Sequence, residues 1–171
     1  MSTTTIEPVA ERASMPPEYG VPAHDEGLLA WSDVEPRWVD APVYWLATSG
    51  PGGVPRVRPL DGLFVDGRLY VGGSPETRWV RDLIENPRVS VHLEGGTDVA
   101  ILDGEAEVLE RGVDDELAVR LAAESHRKYP QYGMTADSYR GPGPIVVKPR
   151  TGFAWRAFPR DVTRFRFPAG G

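Results

Sequence analysis

Short apolar–polar alternations, broken at close intervals by Gly, Pro, Asn or Asp, run through most of this chain. Period-two alternation buries one face of a strand and leaves the other in solvent. PVYWLATS (42–49) is a β-rich run that ends at the turn Gly50-Pro51-Gly52-Gly53. VPRVRPL (54–60) sets Val54, Val57 and Leu60 among polar residues and arginines. GLFVDGRLYVGG (62–73) is two short strands around Asp66-Gly67, a strong hairpin signal. RVSVHLE (88–94) alternates, and VAILDGEAEVLE (99–110) is expected to be one long strand bent near Gly104. IVVKPR (145–150), GFAWRAF (152–158) and VTRFRF (162–167) close the chain as three further strands.

Helical spacing intervenes twice within this series. Trp79, Val80, Leu83 and Ile84 form an apolar stripe; Ser74 is expected to cap that helix, with Pro75 and Glu76 at its first positions and Asn86-Pro87 as its stop. DDELAVRLAAESHRKY (114–129) starts acidic, carries Leu117, Leu121 and Ala122 on one face and ends basic, as the helix dipole favours. LLAWSDVEPRWVDA (28–41) reads as a short helical lead-in, with Ser32 and Glu35 at capping-box spacing and Pro36 opposing it. Residues 1–27 lack periodic apolar positions and are expected to be a flexible or draped arm, and 28–171 a single domain. Six to eight antiparallel strands with two or three short helices read as an α+β barrel.

The 171 residues suit one domain, and the 40% hydrophobic content is ordinary for a globular chain. No apolar run approaches the roughly 20 residues of a membrane span, and no basic-then-apolar leader opens the chain. A cytoplasmic protein with no membrane partner is expected. Cysteine is absent, which excludes disulfides, thiolate metal sites and cysteine nucleophiles. The net charge of −6 argues against nucleic acid, which needs an electropositive footprint. His24, His92 and His126 have no metal-binding spacing, so no metal site is expected. GPGG (50–53) lacks the Lys-Ser/Thr of a P-loop, and Ser49 lies outside any nucleophile-elbow pattern.

Against two lysines stand seventeen arginines, and their placement matters more than their number. The first turn of the helix after Gly72-Gly73 offers free N–H groups, with Thr77 and Arg78 beside them. Arg56 and Arg58 share a strand face two strands earlier. Together these groups would clamp a phosphate or carboxylate. Spacing alone is equally met by a well-capped surface helix carrying solvated arginines. Trp155, Phe158, Phe165 and Phe167 alternate in the late strands, which suits a core more readily than a cofactor stack.

YWLATSGPGGVPRVRPLDGLFVDGRLYVGGSPETRWVRDLIENPRVSVHLEGG (44–96) resembles the pyridoxamine 5′-phosphate oxidase-like superfamily of flavin and deazaflavin oxidoreductases. The order of elements carries the likeness: strand–turn–strand, a D-G hairpin, then Thr-Arg leading a short helix into Asn-Pro-Arg-Val-Ser-Val. It is strong over about 44–110 and continues weakly through AWRAFPRDVTRFRF (154–167). The resemblance implies an antiparallel split β-barrel, the FMN-binding split barrel, assembled as a homodimer with the cofactor in a groove between subunits. It implies that Arg56, Val57, Arg58, Pro59 and Leu60 run along the ring system. It also implies that Gly72, Gly73, Thr77 and Arg78 hold the phosphate, with Trp79 and Trp155 nearby. Family flavin sites often carry Arg-Lys after the Ser/Thr, whereas this chain has Arg78-Trp79. Arg56, Arg58 or Arg81 would then supply the missing charge, and F420, with a phosphate and a longer acidic tail, stands beside FMN as the implied cofactor.

The activity so implied is hydride transfer between bound F420 or FMN and a small organic substrate, with chemistry carried by the cofactor. No catalytic side chain is assigned. Tyr129, Tyr132 and Tyr139 in the loop region are the tyrosines available to supply a proton. A non-catalytic split barrel that holds flavin, F420 or haem, and a structural dimer with a vestigial groove, are the alternatives. Nothing outside the resemblance points to the vitamin B6 substrate itself.

Overall fold

In the strand Tyr44–Ser49, alternate residues Tyr44, Leu46 and Thr48 are buried while Trp45, Ala47 and Ser49 lie toward the outside. The same rule organises the sheet of which it is part. The computed structural model describes residues 6–168. Its elements are β1 (Val9–Arg12), α1 (Trp31–Asp40), β2 (Tyr44–Ser49), β3 (Pro55–Leu60), β4 (Gly62–Val65), β5 (Arg68–Gly72), α2 (Arg78–Glu85), β6 (Arg88–His92), β7 (Val99–Val108), α3 (Asp115–Lys128), α4 (Asp137–Arg140), β8 (Pro144–Trp155) and β9 (Thr163–Arg166). Every pairing is antiparallel, in the order β1-β9-β8-β7-β6-β2-β3, with the β4–β5 hairpin joined through β5 to β8.

One strand splits the barrel. β8 pairs with β7 along its length, while its other edge takes β5 over Pro144–Val147 and β9 over Thr151–Ala154. The expected break between 150 and 152 is absent, and 144–155 is continuous. Pro149, which cannot donate to a ladder, falls between the β5-paired and β9-paired stretches, opposite an irregularity at Asp103/Gly104. There the strands approach so closely that a Cβ on Gly104 would sit 2.2 Å from the Lys148 carbonyl oxygen. The bend expected near Gly104 is therefore a bulge that only glycine accommodates.

The inward faces meet α1, whose Trp31, Val34 and Trp38 pack on Phe64, Phe165 and Phe167. Burying one such aromatic side chain stabilises by roughly 1.5–3 kcal/mol. Ala30 occupies the N-cap position of α1, so the expected Ser32–Glu35 capping box does not form. A second cluster joins Leu63, Tyr70 and Val146 to Ala118 and Leu121 of α3. The hairpin turn has Asp66 at φ 51° and Gly67 at φ 69°, both left-handed as a two-residue turn requires. Asp66 is held by Arg120 of α3 at 2.6 Å, fixing helix to hairpin.

Of the two alternatives for the N-terminal segment, the structure shows the draped one. Val9–Arg12 is not part of a flexible arm but pairs with β9. The Arg12 guanidinium donates to the carbonyls of His24 (3.0 Å), Glu26 (2.7 Å), Arg160 (2.9 Å) and Val162 (3.2 Å), fastening the segment that follows. Residues 1–5 of the proposed arm lie outside the described residues. The architecture is an α+β antiparallel split β-barrel.

Candidate functional site

β3 ends at Leu60, turns through Asp61 and Gly62, and leaves a gap between itself and the hairpin. The loop-rich segment after α3 covers that gap. The result is a cavity of about 630 Å³, walled by Pro59–Leu63, by Tyr70–Gly73 and by Ser125, Tyr129, Tyr132, Met134 and Tyr139. Most of this wall is apolar or aromatic, with a few polar groups, as ligand pockets generally are.

Beside the cavity lies a cluster of arginines. Asp82, on α2, is 1% exposed, and its carboxylate accepts from Arg56 Nη1 at 2.9 Å and Arg78 Nε at 3.4 Å. A buried carboxylate is tolerable only when paired in this manner. Gly50 makes room for it, since a Cβ there would lie 2.4 Å from Asp82 Oδ1. Arg58 lies with its guanidinium 5.7 Å from the Trp79 ring, and its buried Nε has no hydrogen-bond partner. Burial pushes the Arg58 pKa down, against the pull of Asp82. Gly73 joins the two regions: it lines the cavity on one side and rests on Trp79 on the other, where a Cβ would come within 2.3 Å of the indole.

Helix α2 starts later than its local signals indicate. Ser74 does not cap it; the Ser74 hydroxyl accepts from Glu76 N at 3.2 Å inside a turn that precedes the helix. Thr77 stands at the N-cap position, but its hydroxyl donates to the Ser74 carbonyl at 2.6 Å and does not cap. The N–H groups of the first helical turn therefore have no intrahelical acceptor.

Behind the cavity wall, Lys128 donates to Gly62 O and to the Tyr44 hydroxyl, each at 2.9 Å, and lies 4.8 Å and 5.3 Å from the Tyr44 and Tyr129 rings. Burial pulls its pKa down to about 8, with Glu124 opposing. The Tyr129 hydroxyl is engaged with Gly62 N (3.2 Å), Pro42 O (2.9 Å) and Gly62 O (3.1 Å). Burial raises its pKa and that of Tyr139, whose hydroxyl meets Ser125. Tyr132, by contrast, is exposed at the rim and donates to Asp61 Oδ2.

Of the residues singled out from sequence, Pro59, Leu60, Gly72 and Gly73 line the cavity together with the three tyrosines. Arg56 and Arg78 converge on Asp82, while Arg58 and Trp79 pack together next to it. Trp79 is buried in the core. Val57 lies on the opposite face of β3, 56% exposed. Thr77 sits outside the cavity lining, and Trp155 is half-buried on β8 against Phe158, away from this site. Sequence reasoning did not find Asp61, Gly62, Asp82 or Lys128. Only Asp82 carried a local signal, its i+4 spacing from Arg78. Among the described residues no group of three or more His, Asp or Glu could hold a metal. No described helix is long and apolar enough to cross a membrane.

The same order of elements is found in known structures. A conserved hypothetical protein of Mycobacterium tuberculosis superposes with a TM-score of 0.62 at 18% identity, covering 79% of this chain and 89% of its own. A FAD-binding protein of Mesorhizobium loti superposes at 0.56 and 21% identity, covering 80% and 93%. The haem storage protein HutZ of Vibrio cholerae superposes at 0.54 and 20% identity, covering 69% and 88%. No curated protein matches the sequence. The family model for pyridoxamine 5′-phosphate oxidase matches residues 33–155, from α1 to the end of β8. A match over well more than half of the chain, taking in β2 to β8, means that the chain belongs to the pyridoxamine 5′-phosphate oxidase family.

Proposed function

We propose that this chain is a flavin- or deazaflavin-dependent oxidoreductase that works on a small organic substrate, as a homodimer in the cytoplasm. One observation carries the reading: an apolar cavity of about 630 Å³ is joined, through Gly73 and Trp79, to a cluster of arginines from β3 and the start of α2. A planar ring system with a phosphate tail needs both halves of that arrangement. The orphaned Nε of Arg58 and the first-turn N–H groups of α2 are donors without acceptors, which suits an incoming anion. Arg56, Arg58 and Arg78 would hold the phosphate of FMN or F420, and Pro59, Leu60, Gly72 and Gly73 would border its ring. Asp82 holds two of the arginines in place before any ligand arrives. When bound, such a cofactor supplies hydride transfer. The chain supplies the wall that excludes water and, at the rim, the exposed hydroxyl of Tyr132 as a source of a proton.

None of the three histidines lines the cavity, so this wall offers haem no imidazole. A binder of flavin or F420 without turnover remains distinguishable by reduction of the bound cofactor in the presence of added substrates. The deciding titration follows Trp fluorescence while FMN, F420 and riboflavin are added separately, because Trp79 packs against Arg58 and against the cavity-lining Gly73. A charge-assisted phosphate contact contributes about 1.5–3 kcal/mol, so Arg78→Ala should weaken FMN or F420 binding roughly 10- to 150-fold. Riboflavin, which lacks the phosphate, should bind wild type and variant equally, and Arg160→Ala, in an exposed loop, should leave all affinities unchanged. If wild type binds neither FMN nor F420, the proposal is wrong.

A further inference from the structure

The cavity wall contains one acidic side chain, Asp61, and no arginine, lysine or histidine. The neighbouring cations are directed elsewhere. Arg56 and Arg78 are held by Asp82, and Arg58 lies on Trp79. Lys128 stands behind the wall, with its ammonium turned to Gly62 O and the Tyr44 hydroxyl. We infer that the substrate of this cavity is an organic cation, a small aromatic or alkyl amine whose ammonium pairs with Asp61, and that carboxylate and phosphate substrates are rejected. The inference rests on reading the cavity as a ligand site, and it does not depend on which cofactor lies beside it.

Three features support this beyond the charge itself. The Tyr132 hydroxyl donates to Oδ2 of Asp61, which orients the carboxylate and leaves Oδ1 for a second donor. The rings of Tyr129 and Tyr132 lie 5.7 Å apart at 31°, Tyr132 being the one bonded to the carboxylate, and tyrosine faces attract cations. Leu63 and Met134, apart from the residues that would border the cofactor ring, offer an apolar wall for the body of such a molecule. An anionic substrate would instead face an acidic group with no counter-charge on the wall, in a protein of net charge −6. The phosphate-bearing end of a cofactor and the cationic end of a substrate would thus be sorted to opposite ends of the site. Arginines mark one end and Asp61 the other.

Three probes of matched shape test this on the purified protein at pH 7: 2-phenylethylamine, 2-phenylethanol and phenylacetate, with charges +1, 0 and −1. Affinities are read by calorimetry and by tyrosine and tryptophan fluorescence, with and without FMN or F420. The amine should bind about tenfold or more tightly than phenylacetate, the ratio expected of a charge-assisted contact with an aromatic wall. Asp61→Asn should reduce amine affinity to that of the alcohol and leave the alcohol unchanged. Asp61 is exposed, so this variant is expected to fold. Tyr132→Phe, which keeps the ring and frees the carboxylate, should retain amine binding within about threefold. Equal or tighter phenylacetate binding, an unchanged amine affinity in Asp61→Asn, loss of amine binding in Tyr132→Phe, or no binding by any probe overturns the inference. The cofactor titrations report separately. Amine selectivity without FMN or F420 binding would sink the cofactor reading alone, and cofactor binding without amine selectivity would sink this one alone.

Discussion

Asp82 carries more of this site than any arginine around it. It is nearly inaccessible, whereas the side chains of Arg56 and Arg78 are 29% and 60% exposed. Removing the better-buried partner leaves the carboxylate short of a counter-charge, while removing the exposed one costs little. Arg56→Met should therefore destabilise the fold by about 1–3 kcal/mol and Arg78→Ala by under about 1 kcal/mol, as urea unfolding would measure. The order of the two reverses for phosphate affinity if Arg78 faces the ligand. Lys128 gives a pH signature. Its folded pKa of about 8 lies below the ordinary 10.5, so between those values the unfolded chain holds a proton that the folded chain has released. Stability therefore rises as pH increases from 8. Tyr44 and Tyr129 titrate above the ordinary 10 because burial disfavours the phenolate, so beyond that pH the unfolded chain loses protons first and stability falls. Urea midpoints should climb from pH 8 to about 10 and then drop, and Lys128→Met should abolish the climb. A flat profile in wild type would show that Lys128 is better solvated than its position indicates.

At the scale of elements, local signals and long-range geometry divide the account. Asp114 accepts from Leu117 N at 2.9 Å and caps α3 where the acidic run begins, so Asp114→Ala should cost about 1 kcal/mol. That start was legible from the acidic run, and the cap and the N–H it accepts from lie only three residues apart. The start of α2 was not. Ser74-Pro75-Glu76 has the composition of a helix start, yet its hydrogen bonds close a turn ahead of Arg78, and composition alone does not distinguish the two. The sequence reads as two strands here, 145–150 and 152–158, yet β8 runs unbroken even through Pro149, which has no N–H to give a ladder. What rescues the strand is a bulge at Gly104 on a neighbour some forty-five residues away. Gly104→Ala would press a Cβ into the Lys148 carbonyl, and unlike a side chain the backbone cannot swing aside. A loss of about 2–3 kcal/mol in thermal or urea unfolding is expected, at the upper end of overpacking costs.

For the whole molecule, the outward faces of β2 and β3 leave Val57 and Pro59 beside Trp45 and Ala47, and Pro59 also borders the cavity. A second copy covering that apolar face would reach the mouth of the site. Light scattering should give about 38 kDa, twice the 18.8 kDa chain, and Val57→Asp should halve it. A stable monomer at micromolar concentration would remove the dimer from the proposal. By itself the sequence determined the strand alternation, the Asp66-Gly67 turn, the polarised α3, the bend at Gly104 and the absence of thiol chemistry. Apart from the missing thiols, a matter of composition, each of these is signalled by residues within a few positions of one another, where backbone geometry acts directly. Only the tertiary structure decided that Val9–Arg12 joins the sheet, that Arg56 meets Asp82 across 26 residues, that Tyr129 meets Gly62 across 67 and that Tyr132 meets Asp61 across 71. Those pairings follow from how β3, the hairpin and α3 pack together. Their energy is gained only after long loops have closed, and no local pattern of residues records which partners that closure brings together.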